Sequence, residues 1–379
     1  MNGDKIMGII IGGSKNGLTI KETNRLQVVS MVINNSCNLK CKHCYLQSTQ
    51  KQNSVLMEDE WICIAESLLT YSAPSTIAFV GKEPLINYQS ANLVSNIIKI
   101  RNTIQNGRHN RTSIGLLTNG MSLLQFSDIL LTNPPDYIDI SVDGLPTEHD
   151  FLRGKGTFSK LEPNLRWATE NFPEPLWLTP TLNRNNIDSF LNMIRYYNNH
   201  FDIRRFAFGF YIPGNNVNDD LSVLPDQIEK LVNRDLYKLA ELSINEPVEI
   251  LFDLYPNHSD SLQSFNDSGW APSNGGIESS IYDFPNGVSM KIHTTKVAVG
   301  LRYSVRITPE GYWLAAEDAI RMNEYKKLAV ANIRDFQYDA TELYETGLNS
   351  ARFYKLCREH KSKLQKTPVL KERRNVALA

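Results

Sequence analysis

Three of the chain's five cysteines lie within eight residues, at Cys37, Cys41 and Cys44. Structural zinc sites and protein-saturated iron–sulfur clusters use four protein ligands. A group of three thiols therefore suits a metal centre that keeps one coordination position open for chemistry. Two alternatives stay open at this point: His43 would complete a zinc site by turning back onto the metal, or the cysteines would hold no metal. The polar loop around them disfavours inert, buried thiols.

The segment before the cysteines indicates which element would position them. Residues 26–33 are mostly apolar and β-branched, which predicts a buried strand. The cysteine loop then follows the C-terminal end of that strand, where α/β proteins place their active sites. Further strand-like runs alternate with helical patterns at about 58–71, 90–105, 161–171, 186–199 and 223–243. This order is typical of right-handed βαβ units.

In spacing, and in position after a first strand, the cysteines resemble the C-x3-C-x2-C motif of the radical S-adenosylmethionine (SAM) superfamily. The resemblance continues in order through four later segments, which are 79–84, 114–120, 137–144 and 149–154, and then through residues 177–183, which we predict as a fifth strand. It covers about residues 26–245. The fold class that it implies is α/β, a partial (β/α)6 barrel whose open side leaves room for a substrate larger than a metabolite.

The resemblance implies a role for each matching residue. Cys37, Cys41 and Cys44 would ligate three irons of one [4Fe–4S] cluster, and SAM would chelate the fourth iron. His43 stands where the family has an aromatic residue near the adenine. The SAM-binding residues that the other segments imply are Gly81, Glu83, Pro84, Asn119, Ser141, Asp143, Arg153 and Asn183. Lys82 replaces the second glycine of the family's G-G-E-P motif, and lysine does not reach positive φ cheaply.

The ends of the chain are expected to form smaller units. We predict an N-terminal hairpin or extension at 1–25, the barrel at 26–245 and a small C-terminal α+β extension at 246–379. Residues 256–286 are rich in Ser, Asn, Asp, Gly and Pro, which predicts a flexible loop or a lid anchored by Trp270 and Tyr282. Residues 305–314 predict a hairpin around Pro-Glu-Gly. This region resembles the twitch or SPASM extension of peptide-maturing relatives, but with Cys357 alone it would be a remnant without an auxiliary cluster.

The resemblance implies an enzyme that reductively cleaves SAM to a 5′-deoxyadenosyl radical, which abstracts a hydrogen from a peptide substrate. Epimerisation fits better than crosslinking, because it is redox-neutral for the substrate and needs no auxiliary cluster. Cys357 is the candidate hydrogen donor, since Cys63 lies in an apolar helical segment and is expected in the core. Two alternatives stay open: the same chemistry on a small-molecule natural-product precursor, and a non-catalytic metal-binding scaffold.

Composition limits the partners and the compartment. The 379 residues include 40 Lys and Arg against 41 Asp and Glu, a net charge of -1. This balance gives no electrostatic case for nucleic acid or for an anionic membrane. The sequence shows no transmembrane segment and no signal peptide, and so few cysteines in a chain of this length indicate the reducing cytoplasm. The resemblance adds an electron donor of flavodoxin or ferredoxin type.

Overall fold

A computed structural model of the chain describes residues 26–44, 46, 55–211, 219–254, 274–276, 279–294, 304–314 and 325–348. The predicted hairpin at 1–25, Trp270 and Cys357 lie outside these residues. Within the described part of the chain, no helix is both long and apolar enough to cross a membrane.

A mostly parallel sheet forms the centre of the molecule. Its strands in chain order are β1 (Val28–Met31), β2 (Thr76–Phe79), β3 (Ser113–Thr118), β4 (Tyr137–Ile140), β5 (Leu176–Leu178), β6 (Thr181–Leu182), β7 (Arg205–Phe210), β8 (Val248–Leu254), β9 (Asn274–Gly276), β10 (Ser279–Asp283), β11 (Val288–Thr294), β12 (Ser304–Ile307), β13 (Tyr312–Leu314) and β14 (Ala329–Asn332). The strands lie side by side in the order β14-β13-β12-β1-β2-β3-β4-β5-β7-β8-β11-β10-β9, and β6 pairs with β7.

Helices connect the parallel strands and cover the sheet. They are α1 (Glu58–Ser67), α2 (Tyr88–Ile104), α3 (Ser127–Thr132), α4 (Pro146–Arg153), α5 (Thr157–Asn171), α6 (Phe190–Phe201), α7 (Pro225–Lys230) and α8 (Ala340–Leu348). Residues 68–72 continue α1 as a π-helical turn, and a π-helical turn at 231–235 follows α7. The predicted helix at 161–171 begins earlier, because the Asp150 carboxylate accepts hydrogen bonds from the N–H groups of Gly156 and Phe158 at its start.

The succession of parallel strands and crossover helices confirms the predicted α/β partial barrel. Strands β1 to β5 and β7 are parallel neighbours. On one face, Val29, Ile77 and Ile114 share a row across three strands and are fully buried. They belong to one hydrophobic core with Trp61 of α1 and Ile97 of α2. The strands are buried, so their apolar runs match the expected pattern of a covered parallel sheet.

The predicted fifth strand, 177–183, is two short strands instead of one. Thr179 and Pro180 separate β5 from β6. Proline lacks the N–H that a central ladder needs, so it interrupts the pairing. The carbonyl of Pro180 still accepts a hydrogen bond from Gly209, at 3.2 Å. β6 then pairs with the far end of β7.

The predicted hairpin at 305–314 is present as the antiparallel pair β12 and β13. Gly311 in its turn has φ +86°, a conformation that favours glycine. β12 also pairs in parallel with β1, with Val305 beside Val29, so the hairpin extends the barrel sheet. At the other edge, β8 lies beyond residue 245 and pairs in parallel with β7. The sheet therefore continues across residue 245.

One prediction is changed in part and one is wrong. Of the stretch predicted as a flexible loop at 256–286, residues 256–273 lie outside the described part of the chain, whereas β9 and β10 lie within it and Tyr282 is a fully buried residue of β10. Cys63 is exposed, whereas we expected it in the core. The buried face of α1 is formed by Trp61, Ile64 and Ala65, and position 63 points away from that face.

Candidate active site

The cysteine loop, residues 37–44, follows β1 and is attached to the end of α4. The N–H of Lys42 donates to the carbonyl of Leu152 at 2.8 Å. The Lys42 ammonium also lies 3.3 Å from the centre of the Phe151 ring, a cation–π contact. The loop is thus held by an element that lies more than 100 residues later in the sequence.

The three cysteines of the loop differ in exposure. Cys37 is exposed, Cys41 is buried and Cys44 is intermediate. Burial raises the pKa of Cys41 to about 12, although the nearby Arg153 guanidinium opposes the shift. Burial also raises the pKa of Cys37, whose Sγ accepts N–H groups from Leu39 at 3.4 Å and from Asn119 at 3.8 Å. The Cys37 and Cys41 thiols therefore hold their protons until a cation displaces them.

The turn after β2 shows why one glycine of the family motif is needed and the other is not. Gly81 has φ +103°, and a Cβ at this position would lie 2.5 Å from Cγ1 of Val32. Lys82 has no such conformation, because the described non-glycine residues with positive φ are Ala73, Asp202, Gln337 and Tyr338. The Lys82 ammonium instead donates to the carbonyl of Leu46 beside the cysteine loop.

Glu83 links the ends of β2 and β3. Its side chain is buried, and Oε1 accepts hydrogen bonds from the Thr118 hydroxyl at 2.7 Å and from the N–H of Leu85 at 2.9 Å. Oε2 accepts the N–H of Asn119 at 2.8 Å. Burial raises the pKa of Glu83 in spite of these bonds. The N–H of Glu83 donates to Ser36 at 3.1 Å, which joins this turn to the cysteine loop.

Asp143 and Arg153 form a buried ion pair at the end of β4. Arg153 Nε donates to Asp143 Oδ2 at 2.6 Å, and both side chains are almost inaccessible. Burial alone would raise the pKa of Asp143, but the Arg153 guanidinium and His43 outweigh it and hold the pKa at about 2. The carboxylate is therefore ionised at neutral pH. Arg153 is also close enough to Cys41 and Glu83 to affect the pKa of each.

Two histidines, one partly exposed and one buried, lie against this ion pair. His43 Nε2 is 3.3 Å from Asp143 Oδ2, and its side chain is 12% exposed. His149 Nδ1 accepts the N–H of Asp143 at 3.5 Å. Burial lowers the pKa of both rings, that of His149 to about 4. His43 Nδ1 and His149 Nε2 have no hydrogen-bond partner among the residues that the structure describes.

The other predicted residues take different positions. Asn119 Nδ2 donates to Asn38 Oδ1 at 2.7 Å, so it contacts the cysteine loop directly. Ser141 continues the β3–β4 pairing through its N–H, and Pro84 is buried beside Glu83. Asn183 uses its side chain within its own turn, since Nδ2 donates to the carbonyl of Thr181. The structure thus gathers Glu83, Asn119, Asp143 and Arg153 around the loop, whereas Asn183 serves the turn after β6.

His149 is the site residue that the sequence reasoning missed. It lies within the matched 149–154 segment, so the segment itself carried the signal. Histidine in a helix is usually a surface or capping residue, and nothing in its neighbours along the chain indicates burial. Its ring packs edge-to-face against Phe158 at 5.8 Å between centroids.

The residues present fit a [4Fe–4S] cluster and SAM by their chemistry. Three thiols on one loop match an iron cluster with one open iron. Beside them, the buried Nδ1 atom of His43 has no hydrogen-bond partner among the described residues. Arg153 supplies a buried positive charge suited to a carboxylate. Within the described ranges, no three His, Cys, Asp or Glu side chains converge as a ready-made metal site. The fit therefore rests on the donor set.

Sequence comparisons point to the same chemistry. Residues 31–197 match the profile of the Radical SAM superfamily. A 168-residue stretch is 23% identical to the sporulation killing factor maturation protein SkfB of Bacillus subtilis, covering 44% of this chain and 38% of that protein. A 146-residue stretch is 27% identical to a probable GTP 3′,8-cyclase of Methanococcus maripaludis, covering 37% of this chain and 44% of that protein. The chain thus spans less than half the length of each of these relatives.

Solved structures share the fold. The chain aligns with anSMEcpe with bound AdoMet at a TM-score of 0.58 and 16% identity, over 87% of this chain and 82% of that one. It aligns with Streptococcus suis SuiB bound to the precursor peptide SuiA at a TM-score of 0.56 and 14% identity, over 85% of this chain and 66% of that one. The sequence match covers the cysteine loop, Glu83, Asp143 and Arg153. Residues 31–197 of the chain form a radical SAM domain, and the enzymes of that superfamily use a [4Fe–4S] cluster and SAM.

Proposed function

We propose that this radical SAM enzyme modifies a ribosomally made peptide, by epimerisation of a residue. The similarity to a protein named for the maturation of the sporulation killing factor is the observation that carries the proposal. The fold adds support, because the structures that it resembles include complexes with a precursor peptide and with the Cp18Cys peptide. The proposed organisation is the one expected from the sequence, with a barrel at 26–245 and an extension at 246–379.

The chain's own residues would hold and orient the reactants. Cys37, Cys41 and Cys44 would ligate the cluster, and the buried Arg153 charge would bind the SAM carboxylate. The cluster and SAM, when bound, supply a carbon radical that removes a hydrogen atom from an unreactive C–H bond. Glu83 is fixed by three hydrogen bonds and would keep the turn after β2 in place for the amino group of SAM. Gly81, Pro84, Asn119 and Ser141 stay proposed SAM contacts.

The hydrogen atoms and electrons of an epimerisation balance without an auxiliary cluster. One hydrogen atom leaves the Cα of the substrate residue, and one returns to the opposite face from a thiol. The thiol is left as a thiyl radical, which regains one electron and one proton from a flavodoxin- or ferredoxin-type donor. We propose Cys357 as that thiol. A donor of this type and an oxygen-sensitive cluster suit the reducing cytoplasm.

A small-molecule substrate is the second candidate. The match to a probable GTP 3′,8-cyclase favours it, because that relative is named for chemistry on a nucleotide. Binding assays with peptide and metabolite pools would separate the two. Retention of a peptide encoded by a neighbouring small open reading frame supports the first proposal, and retention of a metabolite alone supports the second.

The deciding experiment combines SAM cleavage with solvent labelling. After anaerobic reconstitution, dithionite and SAM should yield 5′-deoxyadenosine, and a peptide turned over in D2O should gain one deuterium at an epimerised Cα. A product lighter by two hydrogen atoms would indicate crosslinking instead. A zinc-bound protein that cleaves no SAM would support the metal-binding scaffold.

The same assay tests the hydrogen donor. Cys357→Ala should abolish deuterium incorporation while 5′-deoxyadenosine still forms, because hydrogen abstraction precedes hydrogen return. Cys63→Ala is the matched control, since Cys63 is exposed on α1 and should leave labelling unchanged. Full labelling by the Cys357 variant would remove this residue from the mechanism.

A further inference from the structure

We propose that Asp143 is the central positioning residue of the active site, and that His43 acts through Asp143 instead of through the adenine of SAM. Asp143 would fix Arg153 and the cysteine loop in one relative arrangement. The inference rests on the SAM-cleaving part of the proposed function and is independent of the substrate.

The Asp143 carboxylate lies against polar groups from three different elements. Oδ1 accepts the N–H of Thr181 in β6 at 2.9 Å. Oδ2 accepts Nε of Arg153 in α4 at 2.6 Å and lies 3.3 Å from Nε2 of His43 in the cysteine loop. The side chain is completely inaccessible to solvent. These contacts leave Asp143 suited to organising its neighbours, and Arg153 suited to contacting the cofactor.

The network closes on itself through the backbone. The N–H of Asp143 donates to His149 Nδ1, and the carbonyl of Leu152, next to Arg153, accepts the N–H of Lys42 at 2.8 Å. The cysteine loop and α4 are therefore joined twice, once by this backbone bond and once through Asp143. A buried charge that loses its partner is strongly unfavourable, so the carboxylate holds both donors in a single arrangement.

The first experiment removes the charge of Asp143 and keeps its shape. Asp143→Asn should keep its iron after reconstitution, but its SAM dissociation constant should rise about tenfold or more, the usual scale for the loss of an outer-shell partner. The measurement is equilibrium dialysis under anaerobic conditions. The change that SAM causes in the electron paramagnetic resonance spectrum of the reduced cluster should shrink in parallel.

Asp136→Asn is the matched control. Asp136 also pairs with a buried arginine, Arg101 at 2.5 Å, and also accepts a backbone N–H, from Ile114 at 2.8 Å. It precedes β4, whereas Asp143 follows it, so the two carboxylates lie at opposite ends of the same strand. The control should lose stability and keep the SAM affinity of the natural protein. Equal losses of SAM affinity in the two variants, or none in Asp143→Asn, would overturn the proposal.

A pair of His43 substitutions gives opposite results for the two roles. His43→Gln keeps an N–H donor for Asp143, and His43→Phe restores the aromatic residue that the family usually has near the adenine. If His43 acts through Asp143, the Gln variant should bind SAM almost as well as the natural protein, and the Phe variant should bind it more weakly. The reverse order would show that His43 acts at the adenine.

The two experiments also separate the inference from the proposed function. If Asp143→Asn binds no iron, the two His43 variants test the proposal instead, because these substitutions leave the Asp143–Arg153 ion pair in place. SAM binding and the spectral change are measured without any peptide. A protein that binds SAM normally but modifies no peptide would therefore contradict the proposed function and leave this inference standing.

Discussion

Gly81 shows how one missing side chain shapes the turn after β2. Its φ of +103° lies where L-residues are strained, and the space for a Cβ is filled by Val32. The turn therefore has two independent reasons to require glycine. They can be separated with Gly107, whose φ of +72° is also positive but whose Cβ would meet no other heavy atom within 4 Å.

Gly81→Ala should lower the free energy of unfolding by about 3 kcal/mol, the sum of backbone strain and overpacking against Val32. Gly107→Ala should cost only the backbone strain, about 1 kcal/mol. Urea-induced unfolding of the two variants measures the difference. Equal losses would mean that the contact with Val32 relaxes and contributes nothing.

His149 makes the stability of the fold depend on pH. Burial lowers its pKa to about 4, against an ordinary value of 6.5. Between these pH values the unfolded chain binds more protons than the folded one, so stability must fall as the pH falls. The contribution is complete above about pH 6.5 and is lost as the pH drops toward 4.

Replacing His149 with Gln should therefore flatten the acid side of the stability curve. Between pH 7 and pH 5, the natural protein should lose about 2 kcal/mol more than the variant, as follows from the two pKa values. Denaturant unfolding of the metal-free protein at each pH measures this. His109→Gln, at an exposed position, is the control and should keep the full pH dependence.

The sequence predicted which residues belong to the candidate site better than it predicted which of them contact each other. Cys37, Cys41 and Cys44 were identifiable from their spacing, and Glu83 and Arg153 from the resemblance of their segments to the radical SAM motifs. The pairing of Asp143 with the cysteine loop was not, because the two are 100 residues apart and no local pattern encodes the contact. The same reason hid the burial of His149 and the exposure of Cys63.

A cluster of hydrogen bonds attaches the C-terminal segment to α1. Glu60 accepts hydrogen bonds from Arg334 Nε at 3.0 Å and from the Tyr338 hydroxyl. Arg334 also donates to the carbonyl of Glu310 at 3.0 Å. Nearby, Ser67 donates to Asp339 at 2.8 Å. Residues 333–339 are thus held to the first helix of the barrel.

Glu60→Gln should loosen this attachment while the barrel stays folded. The loss should be about 1 kcal/mol, because the ion pair is partly exposed and water screens it. Hydrogen exchange of β14 and α8 should speed up, while exchange in β2 and β3 stays constant. Asp59→Asn removes the same charge from the same turn at an exposed position and should change neither. Faster exchange across the whole sheet would contradict a local role.

At the scale of elements, periodicity located the first strands and five of the helices, α1, α2, α5, α6 and α7, but not the short helices α3, α4 and α8. It missed β8 and β11, which pair with each other across a long intervening segment. Strand pairing of this kind depends on partners distant in sequence, and the Ser- and Asn-rich composition around residues 257–280 masks it. Composition also favoured a loop where β9 and β10 lie.

The cysteine content of the chain predicts a single cluster. Five cysteines leave only two outside the motif, too few for a second cluster with four cysteine ligands. Reconstituted protein should therefore contain about four irons per chain. Iron and sulfide analysis measures this, with the Cys41→Ala variant as the control that should lose most of the iron. About eight irons per chain would disprove the prediction that the C-terminal extension is a remnant without a cluster.

The pairing of β1 with β12 joins two strands that lie far apart in the sequence. The strand that leads into the cysteine loop lies between β2 and β12, and its partner Val305 follows Val29 by more than 270 residues. During synthesis, β1 therefore keeps an open edge until residues 304–307 have left the ribosome. Contacts between such distant residues form late and slowly. The cysteine loop is thus synthesised more than 250 residues before the strand that completes the support of β1.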